Sequence, residues 1–283
     1  MTSQSIRQDI RDRFNQVKFP QPTIEPLFYG KREKVLCPKT KAVVDYDTGD
    51  VLSLCSNKYV LVHHEDILHQ AILETEILDK TFGEPTINVQ MMNNGARMLY
   101  NICWTNHAFD VKAGDPVVPL FRGFNSYDSS LKIGSEYGAM RLVCTNGMVV
   151  GEVDSSSSRR HLGDVSAQWV RNHIFAGVTA FTETTAFLGY LAQKMIKSQD
   201  YEILWAELPF TQKEREKIEA LPLLGFDGDT LQSHSLSGQV SAWMVQAALT
   251  QYNTHEMRSP NRSVEIAPKI GQVMNRFARS VGA

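Results

Sequence analysis

Thr86-Ile87-Asn88-Val89-Gln90-Met91-Met92, followed by Asn93-Asn94-Gly95 and then Ala96-Arg97-Met98-Leu99-Tyr100-Asn101-Ile102-Cys103-Trp104, is the stretch that decides the fold. Apolar and polar residues alternate over 86–92, as on a strand with one buried face. Asn-Asn-Gly is a strong turn signal, because these residues accept the left-handed backbone that tight turns use. Residues 96–104 then return, so the stretch predicts a β-hairpin.

The pattern extends to both sides. Residues 117–125 and 130–144 predict a second long pair around Ser126-Tyr127-Asp128-Ser129, and Asn146-Gly147 turns into Met148-Val149-Val150. Upstream, 41–47 and 51–55 flank Thr48-Gly49-Asp50 as another hairpin. A third strand, Tyr59-Val60-Leu61-Val62-His63, runs into a helix over 65–77 with Ile67, Leu68, Ala71, Ile72 and Ile77 as its apolar residues. Ile6, Ile10, Phe14 and Val17 predict a short amphipathic helix over 4–17, stopped by Pro20 and Pro22. Strand pairs joined by short turns imply an antiparallel sheet, with the helix at 65–77 on one face. The other face then needs a partner, a ligand or another layer.

The run Ser155-Ser156-Ser157-Ser158-Arg159-Arg160-His161 has little to bury and reads as a mobile joint. Beyond it the chain turns helical, over 164–197, from the capping box Thr211-Gln212-Lys213-Glu214 to 219, and over 236–252 and 262–280. The expected fold class is α+β. Residues 1–162 form an antiparallel hairpin-rich sheet covered by a helix, and residues 163–283 form a helical region.

Composition excludes several classes. With 42% hydrophobic and 21% charged residues, the 283-residue chain is ordinary for a globular protein. Its net charge of −2 does not suit a dedicated duplex-DNA binder, so any nucleic-acid contact must rest on a local basic surface. No window approaches the roughly 20 apolar residues of a membrane span. Cys37, Cys55, Cys103 and Cys144 lack zinc-knuckle spacing and read as small buried hydrophobes in a cytoplasmic protein. Residues 1–63 hold ten basic and seven acidic residues, and 64–92 hold one and six. Such blocks read as solvated faces, or as ends converging with the middle arginines into one positive surface.

Catalytic motifs are missing: there is no phosphate loop, no His-Glu-x-x-His, no Gly-x-Ser-x-Gly and no Gly-x-Gly-x-x-Gly. His63-His64-Glu65-Asp66 is the densest set of metal-ligand types, but its acids also suit a helix N-terminus, which is the reading adopted. Cys144 with His161 is the candidate thiolate pair. No catalytic residue, metal or cofactor is assigned, which leans away from an enzyme.

Asp47-Thr48-Gly49-x-x-Leu52 with Ser56-x-x-Tyr59, then Asn125-Ser126-Tyr127-Asp128-Ser129-Ser130, then Arg141-Leu142-Val143-Cys144-Thr145-Asn146-Gly147 and Arg160-His161, occur in order over residues 25–162. Together they resemble a phage- and plasmid-borne family of unknown function. Where that family carries a histidine-containing turn, this chain has Tyr127 and Ser129, which removes a histidine role there. The resemblance implies replication, recombination or a virion-related task. A hairpin-rich sheet crossed by a helix is also similar in outline to single-strand-annealing recombination proteins, which bind single strands along a basic groove of a ring.

On that basis the expected function is binding of single-stranded DNA by a cytoplasmic homo-oligomer, with cations on phosphates and rings under bases. The candidate residues are Arg97, Arg122, Lys132, Arg141, Arg159, Arg160, His161 and Tyr127. Arg141 stands out, because an arginine in an apolar strand needs a ligand or an internal partner, for which Asp128 and Asp110 are the candidates. The alternative is a non-enzymatic assembly protein, or one that captures a host factor, using the apolar helix at 164–197.

Overall fold

The computed structural model describes residues 2–31, 33–111, 114–142, 146–149, 156–159, 161, 186–223 and 229–280. The elements are α1 (Ser3–Arg13), β1 (Pro22–Tyr29), β2 (Val35–Asp45), β3 (Val51–Ser56), α2 (His64–Phe82), β4 (Thr86–Met92), β5 (Arg97–Cys103), β6 (Phe109–Asp110), β7 (Pro116–Ser126), β8 (Ile133–Arg141), β9 (Asn146–Val149) and β10 (Ser156–Arg159). Helices follow: α3 (186–193), α4 (Ser198–Glu207), α5 (Gln212–Ala220), α6 (Leu231–Ser237), α7 (Ala242–Gln251) and α8 (Pro260–Ser280), with a π-turn at Tyr252–Glu256 before α8. Every strand pairing is antiparallel. The fold is α+β, with antiparallel sheets in the N-terminal half and mostly helices in the C-terminal half.

Two sheets form, β1-β2-β3 and β10-β8-β7-β5-β4, the latter with β6 on β7 and β9 on β8. Successive strand residues point to opposite faces, which sorts the larger sheet. Met98, Tyr100 and Ile102 of β5, Phe121 of β7 and Ile133 of β8 meet Ile67, Leu68 and Ala71 of α2 and Ile10 and Phe14 of α1. Full burial of each large apolar side chain contributes about 1.5–3 kcal/mol. Arg7 grips Asp66 through two bonds of 2.8 and 2.7 Å, and Arg11 grips Glu65 at 2.7 and 2.5 Å, tying α1 to the start of α2. Val117 and Ala139 lie at the other end of the same face. There they share one core with Leu191, Leu204, Trp243 and Ile270 of the C-terminal helices. The opposite face carries Cys103, Val118 and Leu120 with Met140 and Leu142 beside them.

Three expectations change, and a fourth lies largely outside the described residues. Residues 60–63 form no strand; the Val60 N–H donates to the His161 carbonyl, and the Val62 carbonyl accepts from the Asn125 side chain. The third strand of the small sheet is instead β1, bearing Pro22 and Pro26, residues tolerated on an edge because they supply no N–H. The serine run is not a loop, since Ser156–Arg159 pair with Ile133–Glu136. The long helix expected over 164–197 falls largely outside the described residues, and its described end is α3. No helix among the described residues is long and apolar enough to cross a membrane.

Candidate nucleic-acid interface

Of the arginines singled out in the sequence, Arg97, Arg122 and Arg141 are engaged by partners within the fold. Arg141 is 0% exposed and forks onto Asp115, with Nη2 at 2.7 Å from Oδ2. Trp243 donates its indole N–H to the same oxygen at 2.7 Å, and its ring lies 5.6 Å from the guanidinium. The partner is therefore Asp115, in place of the expected Asp128 or Asp110. Asp128 belongs to Arg97, whose Nε donates to it at 2.7 Å, and it also accepts from Asn93 and from the Ser130 backbone. Burial pushes the Asp128 carboxyl up, but the bonds from Ser130, Arg97 and Asn93 outweigh that and hold it below the usual range.

Arg122 is buried, donates to Asn101 at 3.1 Å and stands across the strand from Glu136. Burial raises the Glu136 carboxyl to about 7, with Arg122 opposing the rise. A raised carboxyl favours the fold fully below its ordinary 4.5, and that benefit is lost as pH rises through 7. Glu136→Gln is thus expected to gain stability over the parent as pH climbs from 4.5 to 7, by about 3 kcal/mol at the plateau. Urea midpoints measured across that range check it, and a constant difference would contradict it.

Tyr127 and His161 are also internal. The Tyr127 hydroxyl accepts the His64 backbone N–H at 2.8 Å, and its ring stacks on the His64 ring with centroids 3.9 Å apart. His64 Nε2 donates to the Gly95 carbonyl at 3.1 Å, and its Nδ1 accepts from Asn125 at 3.0 Å. His161 stacks on Tyr59 at 5.1 Å. Burial depresses His63 to about 4, His64 to about 3 and His161 below its usual value, so none supplies a positive charge at neutral pH. Lys132 is exposed, Arg159 lies in β10 opposite Ile133, and Arg160 lies outside the described residues.

The sequence blocks behind the resemblance have structural roles here. Asp45 accepts from the Gln21 and Asp47 backbones and from the Thr48 hydroxyl, shaping the turn where Gly49 takes φ 76°. Asn125 and Tyr127 hold backbone at the start of α2, and Ser126 and Asp128 accept from the Leu131 and Ser130 backbones of their own turn. Glu65 and Asp66 occupy the first turn of α2, as the capping reading expects. No group of three His, Cys, Asp or Glu among the described residues is placed to hold a metal. Cys37, Cys55 and Cys103 are free thiols, and Cys144 lies outside the described residues.

Exposed rings and cations meet elsewhere, on the β1–β2 hairpin. β3 pairs with β2 only from Thr40 to Val44, so the hairpin end projects past it as a two-stranded ribbon. Phe28 pairs with Leu36 and Tyr29 with Val35, so the two pairs face opposite sides. The rings are 50% and 61% exposed. Lys31, Lys34 and Lys39 are exposed along it, and Lys58 is exposed just past β3. Residues 22–41 hold five basic and two acidic residues within a chain of net −2, a locally positive segment. Gly30 makes the tight end feasible: at φ 112° an added Cβ would lie 2.1 Å from the Glu33 carbonyl oxygen. Tyr29-Gly30-Lys31-Arg32-Glu33-Lys34 was the available signal, hidden because apolar strand residues ordinarily read as core.

Fold and surface together define an α+β protein in which Arg97 and Arg141 are paired with carboxylates and a basic, aromatic ribbon protrudes. The chain belongs to the DUF932 family, a domain of unknown function whose model matches residues 51–281. The match starts at Val51, so α1, β1 and β2 precede it. No curated protein and no solved structure shows significant similarity to the chain.

Proposed function

We propose that this protein binds single-stranded nucleic acid through the β1–β2 hairpin, in the replication or recombination of a mobile element. The observation that carries the reading is the exposure of Phe28 and Tyr29 among Lys31, Lys34 and Lys39. Aromatic faces stack under bases of any sequence, and ammonium groups track phosphates. Every base has a π-face and every nucleotide a charge, so this chemistry predicts binding without sequence preference.

Anisotropy of a labelled oligo(dT) tests it. Phe28→Ala with Tyr29→Ala is expected to weaken binding at least roughly tenfold, since each stacked base contributes about 1–3 kcal/mol. Lys31→Glu with Lys34→Glu is expected to weaken binding and flatten its salt dependence, because fewer counterions are released. Absent low-salt binding, or binding indifferent to both pairs of changes, would overturn the proposal.

A second reading rests on Val35, Leu36, Val51 and Leu54, which are 45%, 51%, 61% and 57% exposed. These suit a non-enzymatic assembly or host-factor contact, which predicts a salt-resistant protein complex with no oligonucleotide affinity.

A further inference from the structure

The two sheets end in strands of opposite character. β1 is defended as an edge: it contains Pro22, Glu25 and Pro26, and its register breaks between Pro26 and Phe28. Prolines, charges and bulges are the devices that keep edges from pairing with other chains. β4, the last strand of the larger sheet, has none of them. Thr86-Ile87-Asn88-Val89-Gln90-Met91-Met92 lacks proline, glycine and any charge, and its seven pairs with β5 run without a register shift. Among the described residues its outer edge pairs with nothing.

Space lies beside that edge. A cleft of about 580 Å³ is lined by Val89, Gln90, Met91 and Met92 on one side and by Gln16, Lys18 and Asp50 from the facing loops. The strand is also self-complementary about Val89. Turned antiparallel on itself, Asn88 falls opposite Gln90 and Ile87 opposite Met91, so amide meets amide on one face and apolar meets apolar on the other. The Ile87, Val89 and Met91 face is the one that already packs against the α1–α2 core. At the ends of the strand Thr86 falls opposite Met92, and an uncharged strand meets no like-charge repulsion across the axis.

We infer that two copies of this chain join edge to edge through β4, antiparallel and centred on Val89, making one continuous sheet across the dimer. The cleft borders the Val89–Met92 half of this edge, and the second copy's β4 would meet it there. This contact is independent of the hairpin, so either can fail alone.

Light scattering coupled to gel filtration of the full chain tests it. The parent is expected to run at twice 31.9 kDa. Asn88→Lys with Gln90→Lys sets ammonium groups against each other across the axis and should raise the dimer dissociation constant at least roughly tenfold. Both side chains are exposed, so the variant should keep the parent's far-UV circular dichroism. Amide exchange over residues 86–92 of the parent should slow with rising protein concentration, which needs no variant. Phe28→Ala with Tyr29→Ala should stay dimeric while losing oligonucleotide. A parent that is monomeric at high micromolar concentration, as it would be if the edge took an extended peptide of another protein, overturns the inference. So does a lysine variant that is folded and still dimeric.

Discussion

Asp115→Ala is expected to destabilise the protein by about 3–5 kcal/mol, the usual cost of removing one partner from a buried ion pair. Asp115 is 0% exposed and accepts three bonds, two from Arg141 and one from Trp243. Its loss takes the carboxylate away from a guanidinium charge and an indole N–H that are both buried. The site joins β8 to α7, so the sheet and the C-terminal helices should loosen together. Urea denaturation followed by both circular dichroism and tryptophan fluorescence measures this. Asp115→Leu combined with Arg141→Met should cost less than Asp115→Ala alone, because it removes both charges and leaves none unpaired. A single substitution costing under about 1 kcal/mol would show that the pair is not buried as described.

Gly123→Ala is the second large effect, expected to cost about 3 kcal/mol. A Cβ at this position would lie 2.0 Å from Cζ and 2.1 Å from the hydroxyl of Tyr100, so the glycine is the seat on which that ring rests. Tyr100 is 1% exposed and packed with Phe121, which leaves the ring little room to withdraw. Trimming the ring should restore part of the loss: Gly123→Ala with Tyr100→Leu is expected to be less destabilised than the two single changes summed. Strict additivity in the double-mutant cycle would contradict the contact.

Local signals in the sequence are legible where local chemistry decides. Asn93, Asn94 and Gly95 take φ of 51°, 54° and 84°, the left-handed turn that Asn-Asn-Gly announces. Thr211 and Glu214 form the capping box their spacing predicts. β1 was missed because two prolines mask its strand character, although an edge tolerates them. The serine run became β10 because pairing with β8 needs only backbone groups, which side-chain hydropathy does not report.

The site was less legible, for a physical reason. Arg141 and Asp115 lie 26 residues apart and Trp243 a further 102 beyond Arg141, so only the folded chain brings them together. Sequence could show that Arg141 needed a partner but not that it had one inside. Conversely, Phe28 and Tyr29 carry the alternation-free apolar look of a buried strand, and their exposure follows only from β3 ending short of them.

Photo-cross-linking of a bromodeoxyuridine-substituted oligonucleotide, followed by peptide mapping, locates the contact directly. Adducts on Phe28 or Tyr29, suppressed by excess unlabelled oligo(dT), are the predicted result. Adducts confined to the larger sheet, or none under conditions where the oligonucleotide is bound, would place the grip elsewhere and contradict the hairpin.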